Sequence, residues 1–410
     1  MVQKAASAQP GHAVTVAAGK TVRYAWIVLI VVFLASVAAP LTQFKVPPVM
    51  PALIQAFNLD LGTAGLLMSV FALAGLILAI PAGFILQRLG AKVTGLIAIA
   101  SLVIGSALGA ISVSTGLMLT SCIIEGIGMG LIAVVAPALI ALWFPAEKRG
   151  IPMGLWATWV PVGMLVIYNL APILANSGGW PAVWWFSAAF SLLTLILYWA
   201  FARTPSADEQ IAESEETAEE KPNLGKAMAN RSIWLLGLQF CCFNAVLISI
   251  STFLPTFLVD SRGYTLGLAA FVTSLTTMVC LVSCPAGGLL SDKLRTRKWV
   301  YTVPFVITAV SLLLPFIITG WLIPAYVIAL GVICSPVPTA IFAAVPEVVK
   351  KPQLVGIGMA IVILGQNMGM FVGPAVFGKL AESVGWATSG YALIPVAVVG
   401  IIAGWLVKVR

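Results

Sequence analysis

Residues 81–93 read PAGFILQRLGAKV, and residues 285–298 read PAGGLLSDKLRTRK. Both stretches begin with Pro-Ala-Gly, continue with apolar residues and end in a short basic turn. Because the same phrase returns after about 200 residues, we predict that the chain consists of two related halves.

The composition indicates a chain that lies in lipid. Its 410 residues are 60% hydrophobic and only 9% charged, with a mean hydropathy of +1.06. Soluble domains contain about 25% charged residues, and a soluble fold of this size has too little interior to hide so much apolar surface.

Continuous apolar runs predict how often the chain crosses the membrane. A spanning helix needs roughly 20 apolar residues, and the runs lack the alternation of barrel strands. We therefore predict an all-α membrane protein with twelve transmembrane helices in two six-helix pseudo-repeats. The spans are 24–46, 62–82, 93–113, 116–142, 151–174, 183–202, 231–258, 266–290, 299–318, 321–345, 354–378 and 387–407.

The basic residues predict the orientation, because Lys and Arg concentrate in cytoplasmic loops. With both termini in the cytoplasm, nineteen of the 22 basic residues lie on the cytoplasmic side. The other three, Lys45, Arg262 and Lys379, lie on the opposite side or near it. We expect an integral inner-membrane protein whose net charge of +8 reflects topology, not nucleic-acid binding.

Four regions follow from this topology. Residues 1–22 form a cytoplasmic tail without a signal-peptide cleavage site, and 23–203 form the first bundle. Residues 204–230 form a linker that contains seven of the fourteen acidic residues, and its composition predicts a solvated segment. Residues 231–410 form the second bundle.

A second pair of loops repeats as well. The sequence FPAEKRG at 144–150 joins spans four and five, and VPEVVKKPQLVG at 345–356 joins spans ten and eleven. With these loops and the twelve-span frame, the chain resembles the major facilitator superfamily of transporters. The resemblance implies two bundles that rock about a midplane site. It also implies a cytoplasmic gate formed by Gly83, Gln87, Arg88, Gly90, Lys92, Glu147, Arg149, Gly288, Asp292 and Lys293.

This gate departs from the family pattern at one position. The family has Asp where this chain has Gln87, and Gln can exchange hydrogen bonds but cannot pair a charge. The second copy keeps its acid as Asp292. We therefore expect the cytoplasmic gate to be held closed more weakly in the first half than in the second.

Glu125 in the fourth span is the only deeply placed ionisable residue, and such residues indicate function. The family pattern places Arg three residues earlier, where this chain has Cys122. Glu125 is therefore expected to lack a charge partner, to favour its neutral form and to carry the coupling proton. The alternative is a permanently protonated Glu that bonds a neighbouring helix.

Lys45 is the candidate cation for substrate binding. The family's organic-anion carriers have a basic residue near this place, although alignment to Pro51 puts it at Gln43. The alternative for Lys45 is snorkelling to the outer surface. The further candidates for substrate contact, each alternatively a residue that holds helices together, are Trp156, Trp159, Tyr168, Asn169, Gln239, Asn244, Gln366 and Asn367.

Several functions are disfavoured. The chain has no phosphate-binding loop for ATP. With His12 as its only His, it has no Ser-His-Asp site or metal-ligand cluster. We therefore predict no enzyme activity, no cofactor and no resident metal.

The sequence predicts a monomeric secondary transporter that works by alternating access. Its partners are membrane lipid, a small organic or inorganic anion, and H⁺ as the coupling ion. The first alternative is a proton-coupled efflux pump for neutral or lipophilic compounds. The second is a non-transporting receptor on the same fold.

Overall fold

The computed structural model describes residues 11–79, 81–145, 148–205, 230–294, 296–349 and 355–408, and within these ranges the regular structure is helical. The first bundle contains α1 to α7 and the second contains α8 to α14. The helices are α1 Gly11–Gln43, α2 Val46–Phe57, α3 Leu61–Leu78, α4 Pro81–Ala110, α5 Thr115–Trp143, α6 Gly150–Ala157, α7 Trp159–Phe201, α8 Arg231–Arg262, α9 Leu266–Leu294, α10 Arg297–Ser311, α11 Leu322–Cys334, α12 Pro336–Val349, α13 Val355–Val384 and α14 Trp386–Leu406.

Side-chain caps fix where several helices begin. Asp60 accepts a hydrogen bond from the Thr63 backbone N–H at 2.5 Å, and Ser114 accepts one from Leu117 at 3.3 Å. Asn230 caps α8 in the same way. A polar side chain before an apolar run satisfies backbone donors that the first turn leaves unpaired.

Ten helical stretches of the described residues are long and apolar enough to cross a membrane. The stretch formed by α6 and α7 contains two passes, because its backbone leaves the helical conformation at 178–179. Beyond this break α7 runs along α4, with Trp184 against Gly109 near one end. At the other end Tyr198 donates to the Ala91 carbonyl at 2.9 Å.

One further helix, α10, accounts for the remaining pass. Gly90 has φ 75° and interrupts α4 between the second and third predicted spans. The helix α10 has only 15 residues and is the ninth predicted span. The described helices therefore follow the twelve predicted spans.

The predicted tail and the predicted linker have different outcomes. The helix α1 begins at Gly11, so part of the segment predicted as a tail continues the first span as helix. Residues 206–229, which make up most of the predicted linker, lie outside the described residues.

Close backbone approach holds each bundle together. A Cβ on Gly128 of α5 would lie 2.5 Å from the Ala98 carbonyl oxygen of α4. In the second bundle a Cβ on Gly369 of α13 would collide with the Cys241 carbonyl oxygen of α8. Small residues allow such packing where hydrophobic burial offers no driving force.

The two bundles meet mainly through α2, α3 and α7 on one side and α8, α9 and α13 on the other. The contacts of α3 with α13 include Gly65 against Pro374, and Leu61 against Gly378. Leu61 begins α3, and both partners lie in the second half of α13. The bundles therefore close on each other at the membrane side opposite Arg23 and Val407, where the first and last passes begin and end.

Candidate functional site

The first pass is broken at Lys45, the basic residue in its interior. The helix α1 ends at Gln43 and α2 begins at Val46, which leaves Phe44 and Lys45 between them. Proline follows at positions 47 and 48, and proline favours the first turn of a new helix. The break places Lys45 as the N-cap residue of α2.

Lys45 forms a buried ion pair with Glu125. Its Nζ lies 2.6 Å from Glu125 Oε1, and neither side chain is exposed. The same Nζ donates to Ser106 Oγ at 3.2 Å, and Ser106 Oγ donates to Glu125 Oε1 at 2.7 Å. Three passes thus meet at one charged cluster, in which the two bonds to the carboxylate, at 2.6 and 2.7 Å, have the short lengths typical of hydrogen bonds to an ionised group.

The carboxylate of Glu125 has two different oxygens. Oε1 accepts from both Lys45 and Ser106, whereas Oε2 has no hydrogen-bond partner among the described residues. The side chain fits against α4 because Gly105 has no Cβ, which would lie 2.5 Å from Glu125 Cγ. The two oxygens therefore offer different positions for a proton.

Two sequence-based expectations about this pair are wrong. Glu125 does not lack a charge partner, since Lys45 replaces the Arg expected at the position of Cys122. Lys45 does not snorkel, because its side chain has 0% exposure. The pair joins residues 80 positions apart. Within the six predicted spans of the first bundle, Lys45 and Glu125 are the only charged residues, and this was the available signal.

Trp156 and Trp159 stack on each other within the first bundle. Their ring centroids are 5.6 Å apart with an interplanar angle of 14°. Trp156 Nε1 donates to Ser36 Oγ of α1 at 3.0 Å. The two tryptophans therefore lie on one face, and this face packs toward α1.

Tyr168 and Asn169 connect the two bundles. The Tyr168 hydroxyl donates to the Ser251 carbonyl of α8 at 3.0 Å. Asn169 Nδ2 lies 3.2 Å from Ser274 Oγ of α9 and also donates to the Leu165 carbonyl at 2.8 Å. These two candidates lie at the contact between the bundles.

The amides of the second bundle have different surroundings. Gln239 is buried against Gly404 of α14, so it faces its own bundle. Asn244 donates to the Phe240 carbonyl of its own helix at 2.8 Å.

Two more amides lie together on α13. Asn367 contacts Gly75 of α3, where its Oδ1 would lie 3.1 Å from an added Cβ. Gln366 beside it is half-buried, and Gln43 in the first bundle is 2% exposed. Asn367 is therefore in contact with the opposite bundle.

The predicted gate residues of the first half lie near the membrane side where the first pass begins at Arg23 and the last pass ends at Val407. Gln87 and Arg88 are exposed and Lys92 is half-buried. Gly90 provides the left-handed turn, and Gly83 faces open space.

The other predicted gate residues are described less completely. Arg149 donates to the Phe144 and Ala141 carbonyls at 2.7 Å each and so caps the end of α5. Lys293 is exposed. Glu147 lies outside the described residues, and only the helical backbone of Gly288 and Asp292 is described.

The fold and the repeated loops define a class of membrane transporters, and comparison with known proteins supports that class. The model of the Major Facilitator Superfamily matches residues 32–351 and 285–410. The chain belongs to this superfamily of secondary transporters.

Several relatives cover most of the chain at low identity. The hexuronate transporter of Bacillus subtilis (strain 168) is 23% identical over 89% of this chain and 90% of its own length. The nitrite extrusion protein of the same organism is 24% identical over 85% of this chain and 86% of its length. The probable sulfoacetate transporter SauU of Cupriavidus necator is 25% identical over 85% and 83%.

A solved structure has the same fold. A bacterial homologue of the human lysosomal transporter Spinster, in an inward-facing and unoccupied conformation, superposes with a TM-score of 0.81. The match covers 94% of this chain and 97% of that one at 18% identity.

Proposed function

We propose that this chain is a proton-coupled secondary transporter for a small organic or inorganic anion, with Lys45 and Glu125 as the charge-exchange centre. The observation that carries the proposal is the ion pair at 2.6 Å with neither side chain exposed. An ionisable pair at this depth is costly to desolvate and marks a functional centre more often than a structural one.

The charges explain how anion and proton are coupled. In the described conformation Glu125 satisfies the ammonium of Lys45, so an anionic solute has to compete with Glu125 for it. An anion beside Lys45 leaves the carboxylate as an excess negative charge in a medium of low polarity. A proton on Glu125 removes that charge, so one proton accompanies each monovalent anion.

The position of the proton follows from the hydrogen bonds. Oε1 already accepts two hydrogen bonds, and a proton there would lose the bond to Lys45. Oε2 accepts none from the described residues. The proton therefore binds Oε2, while Ser106 continues to donate to Oε1.

The named solutes of the relatives support an anion as the substrate. Hexuronate, nitrite and sulfoacetate differ in size and geometry, but all three are anions at neutral pH. What they share is negative charge, and a buried ammonium is the matching group. The proposed substrate is therefore defined by its negative charge, and the transport experiment identifies which anion it is.

The contacts between the bundles support alternating access as the mechanism. With both termini in the cytoplasm, as the basic residues predict, the contacts of α3 with α13 and of α7 with α9 close the outer side. We infer that this conformation is closed to the outside. Rocking about the centre would separate Tyr168 from Ser251 and Asn169 from Ser274, and would open the outer side.

Uptake into proteoliposomes tests the proposal. Purified protein is reconstituted with labelled D-glucuronate, sulfoacetate or nitrite outside, with and without an inward proton gradient. We expect concentrative uptake of at least one of these anions only with the gradient. Accumulation of neutral lipophilic compounds but of none of the anions would support the efflux alternative, and ligand binding without flux would support a receptor.

Two variants separate the roles of the pair. Glu125→Gln keeps a group that bonds Ser106, so we expect it to exchange anion across the membrane without proton-driven accumulation. Lys45→Met is expected to lose both activities. Lys408→Met, which removes an exposed lysine near the C-terminus, is the matched control and is expected to behave as the unmodified protein.

A further inference from the structure

A fully buried tryptophan covers the ammonium of Lys45. The Nζ lies 4.6 Å from the ring centroid of Trp184, which has 0% exposure. Trp184 belongs to the part of α7 after the break at 178–179, and its ring lies against Gly109 of α4 as well as over Lys45. The ammonium therefore has three neighbours: a carboxylate, a hydroxyl and an aromatic face.

The indole is held from two other sides. Trp180 packs edge-to-face on it with centroids 5.5 Å apart, and Trp180 in turn contacts Phe57 at 5.2 Å. On the α4 side, a Cβ on Gly109 would collide with Cδ1 and Nε1 of the Trp184 ring. The ring is therefore fixed in place over Lys45 and has little freedom to turn away.

We propose that Trp184 is a positioning residue that keeps the Lys45 ammonium charged and in place while Glu125 is neutral. This inference deepens the proposed function and rests on it. When Glu125 takes up a proton, the ammonium loses its counter-ion inside the bundle. The face of an indole attracts a cation electrostatically, and the attraction is strongest away from water.

Few groups near the pair can titrate. Besides Lys45 and Glu125, the titratable group beside the pair is Cys122 on α5, one turn before Glu125. The groups that face the pair from α4 and α7 are Ser106 and Trp184, and neither changes charge in the working pH range. A change at Trp184 therefore acts on the protonation of Glu125 through Lys45.

The sign of the effect can be worked out. Without the ring, protonation of Glu125 leaves the ammonium with Ser106 alone, so protonation costs more free energy. Half-maximal proton-driven uptake then requires a more acidic medium. The ring contact is present in both protonation states, so the shift equals only the part of the attraction that the ammonium gains when the carboxylate is neutral. The full strength of a buried cation–π contact, about a tenfold change in proton affinity or about one pH unit, is its upper limit.

The pH profile of uptake tests this inference, with whichever of D-glucuronate, sulfoacetate or nitrite the unmodified protein accumulates. We expect the midpoint of Trp184→Leu to move to lower pH by up to about one pH unit, and that of Trp184→Phe to move less. Trp185→Leu is the matched control, since Trp185 is the next residue on the same helix and is 51% exposed. Gly109→Ala, which displaces the ring without removing it, is expected to shift the midpoint in the same direction.

A second measurement does not depend on transport. Thermal unfolding of Trp184→Leu, Lys45→Met and the double variant gives the coupling between the two positions. We expect Trp184→Leu to lower the melting temperature less when Lys45 is already Met. Additive effects would overturn the inference, as would a midpoint of Trp184→Leu equal to that of Trp185→Leu. If the unmodified protein accumulates no anion with protons but the coupling is present, the proposed function fails and the contact between Lys45 and Trp184 stands.

Discussion

Gly65→Ala is expected to open the contact between the bundles without unfolding either one. Gly65 lies on α3, and its added methyl group would meet the carbonyl oxygen and carbon of Pro374 and, at 3.1 Å, Cζ of Phe253. All of these atoms belong to the opposite bundle. The collision can therefore be relieved by rocking the bundles apart, which leaves both interiors unchanged.

The size of the effect follows from the cost of overpacking. An extra methyl group in a tight contact costs about 1–3 kcal/mol, and every 1.4 kcal/mol is about a factor of ten in an equilibrium constant. The ratio of closed to open outer side is thus expected to fall by about 5- to 150-fold. The substitution does not weaken α3 itself, since Ala favours a helix more than Gly does.

The distance between spin labels on opposite bundles measures this ratio. Labels at Gln55 on α2 and Glu382 on α13, both exposed, are introduced into a cysteine-free protein. We expect Gly65→Ala to transfer population to longer distances with a nearly unchanged melting temperature. Gly128→Ala is the control, because its methyl group would meet the Ala98 carbonyl within one bundle and rocking cannot relieve that collision.

The reasoning would be refuted by one clear pattern. If Gly65→Ala keeps the distance distribution of the unmodified protein and instead melts at a lower temperature, as Gly128→Ala is expected to do, the contact at Gly65 is part of a rigid core. The bundles would then not separate at this side.

Two other perturbations test the ion pair and the contact between the bundles. Lys45→Met alone is expected to destabilise the protein by about 3–5 kcal/mol, because it leaves Glu125 buried without a counter-charge. Lys45→Met combined with Glu125→Leu should recover most of this loss. Thermal unfolding measures the single and double variants, and equal melting temperatures would argue against a charged pair. Asn169→Ala removes the hydrogen bond to Ser274, which is worth about 0.5–1.5 kcal/mol, so the labelled protein should shift toward longer distances in the same direction as Gly65→Ala and by a smaller amount. An unchanged distribution would mean that this bond does not hold the outer side closed.

The fold could be predicted from the sequence because the signals are local. Each span is a continuous apolar run, and the repeated loops at 81–93 and 285–298 mark matching places in the two halves. The breaks between passes at Gly90 and at 178–179 also follow local signals, since glycine permits the backbone conformations found there.

The site could be predicted only in part, because its chemistry depends on long-range geometry. Lys45 and Glu125 were both identified as candidates, but their pairing depends on the break between α1 and α2 and on how α5 is rotated. Ser106 and Trp184 were not identified. A serine and a tryptophan in apolar spans are common, and only their position around the ammonium distinguishes them.

The amide candidates show the same limit. Gln239 and Asn169 both lie in predicted spans and are equally polar, yet one packs against Gly404 in its own bundle and the other reaches α9 in the opposite bundle. The difference is the rotation of each helix about its axis. Spans that are apolar on all sides give no hydrophobic face from which that rotation can be inferred.

The ratio of protons to anions moved in one experiment tests the central claim most directly. Proteoliposomes are loaded with a pH-sensitive dye, and uptake of a labelled monovalent anion that the protein accepts is recorded together with the internal acidification. The unmodified protein is predicted to move one proton with each anion, and Glu125→Gln is predicted to exchange anion with no acidification. Acidification by Glu125→Gln at the same ratio as the unmodified protein would contradict the account, because the proton would then travel by a route that does not include Glu125.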